Sequence, residues 1–320
     1  MRRLRVLAPM LLTAMILLGL ALVPPIAGLS GENYTIDVFT RIMIFAIAAL
    51  SLDIILGYGG MVSFGHAAYL GIGAYAVGIL AFYHIDNGFL QFAAAILASA
   101  AAAAFIGFVS LRTSGVYFIM ITLAFAQMIY LLSISLSTFG GSNGLNIDVH
   151  SKFLGLLDLG NPTALYYLVF GVLLLFLFLG HRLVNSRFGM VIRGAKSNPR
   201  RMATIGFPLL RYQLAAFIIA GVMCGVAGAL LANQELFVAP AIMHWTRSGE
   251  IMMMVILGGM GTLIGPVLGA IVFLLLEDVL SGVTEHWQAV MGLFLVLAVL
   301  FARGGMLGFL YRLRGGRSGA

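Results

Sequence analysis

Apolar runs of membrane-spanning length follow one another along almost the whole chain, separated by short polar segments. A helix needs roughly 20 apolar residues to cross the hydrocarbon core of a bilayer. The pattern therefore predicts an all-α bundle of transmembrane helices, that is, a polytopic membrane protein. The candidate spans are 6–29, 38–56, 66–84, 89–111, 114–136, 163–181, 212–233 and 287–302, together with the apolar stretch 249–281.

The stretch 249–281 is either one long kinked helix or two short helices broken at the sequence GGMGT (258–262). Lys and Arg are enriched on the cytoplasmic side of membrane proteins. Two helices place fifteen of the eighteen Lys and Arg inside and leave only Arg41, Lys152 and Arg247 outside. We therefore predict about ten spans with both termini cytoplasmic. A re-entrant pair within 249–281 is the alternative.

No separate soluble domain fits between these runs, so we expect residues 1–320 to form a single transmembrane domain. The basic N-terminus followed by an apolar run could be a signal peptide, but Val6–Val23 is long for one, which favours an uncleaved span. The expected order is a first span at 6–29, spans two to six within 38–181, a cytoplasmic loop at 182–211, spans seven to ten within 212–302, and a cytoplasmic tail at 303–320.

Composition supports this class and excludes others. The chain is 62% hydrophobic and 9% charged, which is too apolar for a soluble domain. The net charge of +7 lies mainly in short loops, so we expect contact with membrane lipid and no nucleic-acid partner. The motifs of a P-loop, H-E-x-x-H, C-x-x-C and G-x-S-x-G are missing, and we therefore predict no metal, no cofactor and no catalytic residues.

The loop 182–211 is the one long polar interruption, and it contains seven basic residues and no acid. Asn185–Arg193 is predicted to form a short helix. The sequence Ser-Asn-Pro at 197–199 predicts a helix cap followed by proline at the first helical position, and Arg200–Ile205 would form a second helix ended by Gly206. The simpler interpretation is a solvated loop touching anionic lipid. The half-apolar patterning instead favours docking into a groove of a partner.

Two glycine-rich stretches are predicted to break the helices at membrane depth. In the first, 56–80, Gly57 and Gly59 interrupt the helix, Ser63 is placed to cap the following helix, and His66 is either a pathway residue or a packing histidine. In the second, 257–270, the breaking residues are Gly258, Gly259 and Gly261. Broken backbone at this depth is tolerated when it is buried in protein or lines a watery cavity. Both stretches are therefore candidates for a transport pathway, and a tight hairpin is the alternative for the first.

Few ionisable residues lie within the predicted spans. Asp53 lies near the inner end of span two and is the better functional candidate, while Glu277 and Asp278 lie near the outer end of span nine. Three acids in ten spans do not suggest a proton relay. Outside the membrane we expect two loops, 137–162 and 234–248, the first with a short surface helix around Phe153–Leu157.

Four blocks in this order resemble the LivM-like permeases of branched-chain amino acid ABC importers. They are LGYGGMVSFGHAAYLGIGAY (56–75), LRTSGVYFIMITLAFAQM (111–128) with FGGSNGL (139–145), the run from Ser186 to Ala232, and GGMGTLIGPVLGA (258–270). The resemblance covers residues 40–305. It implies a permease subunit of a bacterial inner (plasma) membrane transporter, which pairs with a second, homologous permease.

The resemblance also implies two cytoplasmic ABC ATPase subunits and a solute-binding protein outside, so ATP would be hydrolysed by partners. The ATPases would dock on a loop like 186–206. The implied coupling residues are Phe188, Gly189, Arg193, Asn198, Arg200, Arg201 and Gly206. Members of this family often carry an acidic segment where this chain has Lys-Ser-Asn-Pro (196–199), and often Gln where it has Met61.

The function expected from this resemblance is import of branched-chain, hydrophobic amino acids by ATP-driven alternating access. A related permease for urea or short amides is the first alternative, since selection would lie largely in the binding protein. A self-contained secondary transporter would need an ion or proton site, and an intramembrane enzyme would have only Asp53 and His66 to use.

Overall fold

The computed structural model describes residues 2–30, 33–153 and 157–301, together with 305, 306 and 308, and these residues are mostly helical. Helix α2 continues into a π-helix, Ile54–Tyr58. The α-helices are α1 Arg2–Ser30, α2 Asn33–Asp53, α3 His66–Phe82, α4 Gly88–Ser110, α5 Val116–Ser135, α6 Pro162–Val184, α7 Arg187–Ser197, α8 Pro199–Thr204, α9 Leu209–Glu235, α10 Trp245–Gly258, α11 Gly265–Val283 and α12 Trp287–Phe301.

Within the described residues, six helices are long and apolar enough to cross a membrane: Tyr34–Tyr58, Gly88–Ser110, Val116–Ser135, Pro162–Val184, Leu209–Glu235 and Gly265–Val283. Shorter apolar helices occur at Thr13–Gly28, His66–Phe82 and Trp287–Ala298. The prediction of an all-α, polytopic membrane protein is therefore confirmed. Apart from 305, 306 and 308, the expected tail 303–320 lies outside the described residues.

Helices α2 and α9 form the centre of the bundle. Most of the membrane-length segment of each is buried, whereas less than a third of the corresponding segment is buried in α4, α5 and α6. Helices α3 and α9 approach each other closely, because a Cβ at Gly73 would overlap the carbonyl oxygen of Gly225 and a Cβ at Gly228 would overlap that of Leu70. Small residues permit this backbone contact within a bilayer.

The apolar stretch 249–281 is divided between two helices, α10 and α11. The chain turns between them through Gly259 at φ +119° and Gly261 at φ +75°, values that residues with a side chain rarely adopt. The two helices then pack tightly, since a Cβ at Gly269 would overlap the carbonyl oxygen of Met254. Of the two sequence interpretations, the pair of short helices is the one that forms.

The loops before α6 and before α10 contain short strands and 3₁₀ turns. Strand β1 (Leu145–Asn146) pairs antiparallel with β4 (Phe237–Val238), and so joins the loop before α6 to the loop before α10. The 3₁₀ turns are Ser137–Phe139, Gly141–Asn143 and Pro240–Met243.

The prediction of a short surface helix around Phe153–Leu157 was wrong. Strand β2 (Lys152–Phe153) instead pairs antiparallel with β3 (Leu157–Asp158). The Lys152 amide donates to the carbonyl of Asp86 at 2.7 Å, and the Phe153 ring packs on Phe89 with 5.1 Å between centroids. These contacts with the start of α4 hold the backbone extended. Residues 154–156 lie outside the described residues.

Candidate functional site at the two glycine breaks

The first break, which we define as residues 54–65, follows the fully buried end of α2. The π-helix widens the turn there, and residues 59–65 are not helical. The freed backbone groups are partly satisfied locally, because the amides of Gly60 and Met61 donate to the carbonyls of Leu56 and Ile55 at 3.0 and 2.9 Å. A π-bulge within a helix often marks a functional position.

The second break, residues 258–264, lies directly against the first. The Gly261 amide donates to Asp53 Oδ1 at 2.8 Å, although the two residues are 208 positions apart. Gly57 sits between them, and a Cβ there would overlap both the Asp53 carboxylate and the Gly261 nitrogen. Of the predicted pathway residues, Asp53, Gly57 and Gly261 are therefore brought together at one junction, which we call the break junction.

The other glycines of the two breaks shape the backbone around this junction. A Cβ at Gly59 would lie 2.6 Å from the carbonyl oxygen of Ile55, inside the turn that ends the π-helix. A Cβ at Gly258 would overlap the carbonyl oxygen of Gly265. Gly259 has the largest positive φ of the segment, and Gly305, beyond α12, is packed against it. Thr262 Oγ1 donates to the Gly259 carbonyl at 2.7 Å and closes the turn.

Residues 186–206, which we call the α7–α8 segment, form the two short helices that the sequence predicted. Ser186 caps α7 by accepting from the Gly189 amide at 3.3 Å, and Asn198 caps α8 by accepting from the Arg201 amide at 3.0 Å. Pro199 occupies the first turn of α8, and Gly206 follows its end with φ +97°. The first helix begins two residues later than Asn185, because Asn185 ends α6.

Helix α7 is fixed to α6 and α9. Gly189 lies against the carbonyls of Leu183 and Val184, where a side chain would not fit. Arg193 donates from Nη2 to the Val184 carbonyl at 3.1 Å, and the Phe188 ring packs on Tyr212 of α9 with 5.6 Å between centroids. Three of the seven predicted coupling residues therefore anchor α7, whereas Arg200 and Arg201 on α8 are exposed.

Lys196 connects the α7–α8 segment to the break junction. Its Nζ donates to the carbonyl oxygen of Gly57 at 2.6 Å, and its side chain lies against Gly60. The sequence identified Lys196 only as one basic residue of the loop and as a departure from the family pattern. A cavity of about 790 Å³ opens beside this contact, lined in part by Gly60, Met61, Lys196 and Pro199.

The prediction that Ser63 caps the following helix, α3, was wrong. Helix α3 begins after Gly65, which makes no side-chain cap, and Ser63 Oγ instead accepts from the Gly65 amide at 3.3 Å. The Ala67 amide, in the first turn of α3, donates to Ser248 Oγ of α10 at 2.9 Å. A serine 181 residues away therefore supplies the acceptor that the sequence assigned to the nearest serine, because α10 packs against the start of α3.

His66 lies in the core at the start of α3. Its Nε2 lies 2.7 Å from Ser51 Oγ, and the Ser51 hydroxyl donates to the Ala48 carbonyl at 2.7 Å. Its ring is fully buried and packs edge-on against Tyr69 at 5.8 Å. Its position agrees with the packing interpretation.

The other two acids predicted within the spans are Glu277 and Asp278, near the end of α11. Asp278 Oδ1 accepts from the Tyr34 hydroxyl at 2.6 Å, and Glu277 lies beside it.

Apolar helices that are interrupted at two opposed glycine breaks are a feature of membrane transporters. Residues 34–301 match the family described as "Branched-chain amino acid transport system / permease component". The chain belongs to this family. It is a multi-pass protein of the inner membrane.

Several curated proteins are similar to this chain. A high-affinity branched-chain amino acid transport system permease protein LivM of Escherichia coli is 28% identical over 296 residues, covering 85% of this chain and 70% of the relative. A probable LivM permease of Methanocaldococcus jannaschii is 24% identical, covering 77% and 82%. An L-arabinose ABC transporter permease protein AraH of Azospirillum brasilense is 24% identical, covering 57% and 55%. No solved structure matches.

Proposed function

We propose that this chain is a permease subunit of an ABC importer that moves branched-chain, hydrophobic amino acids into the cytoplasm by ATP-driven alternating access. The observation that carries the coupling part of this proposal is a pair of hydrogen bonds, one from Lys196 to Gly57 and one from Gly261 to Asp53, which meet where Gly57 packs against the Asp53 carboxylate. A displacement of the α7–α8 segment would act on both breaks through these contacts. Coupling requires an element whose two states make different contacts, and in this proposal the contacts of Lys196 and Gly261 are the ones that change.

The proposed arrangement in the membrane has ten spans, with both termini cytoplasmic. It counts α1 to α6 and α9 to α12 as spans and places the α7–α8 segment inside as the coupling loop of a single domain, residues 1–320. The division of 249–281 into α10 and α11 supports this count, because an even number of spans puts both basic termini on one side. Accessibility of single cysteines placed after α12 and in the α7–α8 segment tests it. Opposite accessibility of the two positions would contradict the arrangement.

The proposed partners are a second homologous permease, two cytoplasmic ABC ATPases and an external solute-binding protein. The ATPases would contact the exposed face of the α7–α8 segment around Arg200 and Arg201, with α7 held in place by Phe188, Gly189 and Arg193. Asn198 and Gly206 would define the ends of α8. The binding protein would press on loops such as 137–162. ATP is then hydrolysed by the partners and not by this chain.

Charge reversal tests the docking proposal. In the complex assembled with its cognate partners in proteoliposomes, Arg200→Glu with Arg201→Glu is expected to lower substrate-stimulated ATPase activity and amino-acid uptake. Arg187→Glu is a control on α7, because Arg187 is also exposed. Unchanged coupling in the double variant would count against the segment as the docking site. Uptake by the chain alone, driven by a Na⁺ or H⁺ gradient, would exclude an ABC importer.

A permease for another small polar solute is the second candidate function. This chain is similar to a protein named for L-arabinose transport. The similarity supports the view that related permeases share one fold but carry different solutes. Urea and short amides belong to the same candidate class. Uptake of labelled leucine, urea and arabinose by the same reconstituted complex separates the candidates, and leucine uptake is the expected result.

A further inference from the structure

An apolar groove between α6 and α9 has a basic and polar end. The groove has a volume of about 850 Å³. Its walls include Leu179 of α6 and Ile219 and Val222 of α9, and its floor includes Ile54, the first residue of the π-helix. At the end nearest α7, the lining changes to His181, Arg182, Asn185 and Ser186.

The polar end of the groove is suited to an anion. No acidic residue lines the groove in the described part of the chain, and the sequence from His181 to Arg211 contains none. Arg182 is exposed and takes part in neither of the ion pairs formed by the described residues. A guanidinium presents planar paired donors that match a phosphate. The Asn185 amide lies 3.2 Å from His181 and adds a second polar group at this end.

The remainder of the groove is suited to a hydrocarbon chain. An empty apolar groove would leave its lining without packing partners on one side. Leu179, Ile218 and Ile219 are partly or fully exposed along it. A ligand that satisfies both ends therefore combines a negatively charged head with an apolar tail. Basic pockets between transmembrane helices bind anionic lipid head groups in this way.

We propose that the α6–α9 groove is a binding site for one anionic phospholipid. An acyl chain lies along Leu179, Ile219 and Val222, and the phosphate is held by Arg182 with Asn185 beside it. The lipid belongs to the leaflet on the side of the α7–α8 segment. Because Ile54 belongs to the first break and Gly180 faces Leu263 of the second, the bound lipid contacts elements next to both breaks.

Lipid titration of the purified full-length chain, followed by native mass spectrometry, tests the site. Phosphatidylglycerol is expected to bind more tightly than phosphatidylcholine with the same acyl chains. Arg182→Gln should raise the Kd for phosphatidylglycerol about fivefold, which corresponds to about 1 kcal/mol for one basic residue. Arg211→Gln is the matched control, since Arg211 is exposed at the start of α9 and does not line the groove. Equal binding of both lipids, or equal weakening by both variants, overturns the proposal.

Filling the groove tests the position of the acyl chain. Ile219→Trp should reduce phosphatidylglycerol binding while leaving Arg182 in place, and Val222→Trp provides a second variant if the first does not fold. A photoreactive side chain at position 219 identifies the occupant in the assembled transporter. A phospholipid adduct supports the proposal, whereas an adduct with a second permease subunit, or none with lipid, overturns it. Lipid titration of the purified chain requires neither partners nor transport, so its outcome does not depend on the proposed function.

Discussion

The Lys196 ammonium donates a hydrogen bond of 2.6 Å to the carbonyl oxygen of Gly57, across 139 positions of sequence. This contact joins the last turn of α7 to the π-helix that follows α2. Gly57 is the second-last residue of the π-helix, where the final carbonyls have no amide partner within the helix, so a cationic donor from another element can satisfy one of them. The α7–α8 segment is thereby attached to the part of the membrane bundle where the regular helix is lost.

Removing the Lys196 donor should uncouple the segment from the first break. Lys196→Met keeps a long apolar side chain against Gly60 but loses the hydrogen bond, which for a charged donor contributes about 1.5–3 kcal/mol. We expect uptake per ATP hydrolysed to fall several-fold in the reconstituted complex, with basal ATPase activity retained. Lys196→Arg should preserve part of the coupling.

The control for charge is Arg187→Met, which removes one positive charge from the first turn of the same helix without touching the break. If Arg187→Met lowers the ratio of uptake to ATP hydrolysis as much as Lys196→Met does, the decrease is caused by the loss of positive charge. The hydrogen bond between Lys196 and Gly57 would then not be required for coupling.

Asp53 should act as a hydrogen-bond acceptor and not as a proton carrier. Asp53→Asn retains an oxygen for the Gly261 amide, whereas Asp53→Ala leaves that amide without its acceptor, at a cost of about 1–3 kcal/mol. We expect the alanine variant to lower the melting temperature and the uptake rate, and the asparagine variant to stay close to the parent. Thermal unfolding in detergent measures the first effect and proteoliposome uptake the second.

The opposite outcome would show that the charge itself matters. Loss of uptake in Asp53→Asn at unchanged stability would assign Asp53 a role in ion or proton movement. Conversely, uptake that survives Asp53→Asn combined with His66→Ala would show that transport does not require either group as an acid or base.

The contact between α3 and α9 should tolerate no added methyl group. In Gly228→Ala the new Cβ would overlap the carbonyl oxygen of Leu70, and overpacking of this kind costs about 1–3 kcal/mol or more. Gly171→Ala on α6 is the matched control, since a Cβ there meets nothing within 4 Å. We expect a lower yield of monodisperse protein and a lower melting temperature for Gly228→Ala alone. Equal behaviour of the two variants would contradict the close approach.

Local features were predictable from the sequence because their causes are local. The cap and proline at the start of α8 lie within three residues of each other, and the glycines that separate α10 from α11 act on their own backbone. The contacts of Gly261 with Asp53 and of Lys196 with Gly57 span 208 and 139 positions. A single sequence contains no information on which distant helices are neighbours, so the break junction could not be predicted as one site.

The same limit explains the two local predictions that were wrong. Ser63 satisfied the rule for a helix cap, but the start of α3 is buried against α10, where Ser248 is better placed. The apolar residues around Phe153 suggested a surface helix, but the Phe153 ring packs at the start of α4 and its backbone pairs as a strand. In both cases a tertiary contact prevailed over a local preference.

Replacing each serine in turn tests whether Ser248 or Ser63 supplies the hydrogen-bond acceptor at the start of α3. Ser248→Ala removes the acceptor for the Ala67 amide, and loss of a helix cap costs about 0.5–2 kcal/mol. Ser63→Ala removes an acceptor at the longer distance of 3.3 Å from an amide that precedes the helix. We therefore expect Ser248→Ala to lower the melting temperature more than Ser63→Ala. Hydrogen exchange should increase at Ala67 in Ser248→Ala and remain unchanged there in Ser63→Ala. The reverse order would restore Ser63 as the cap and contradict the packing of α10 against the start of α3.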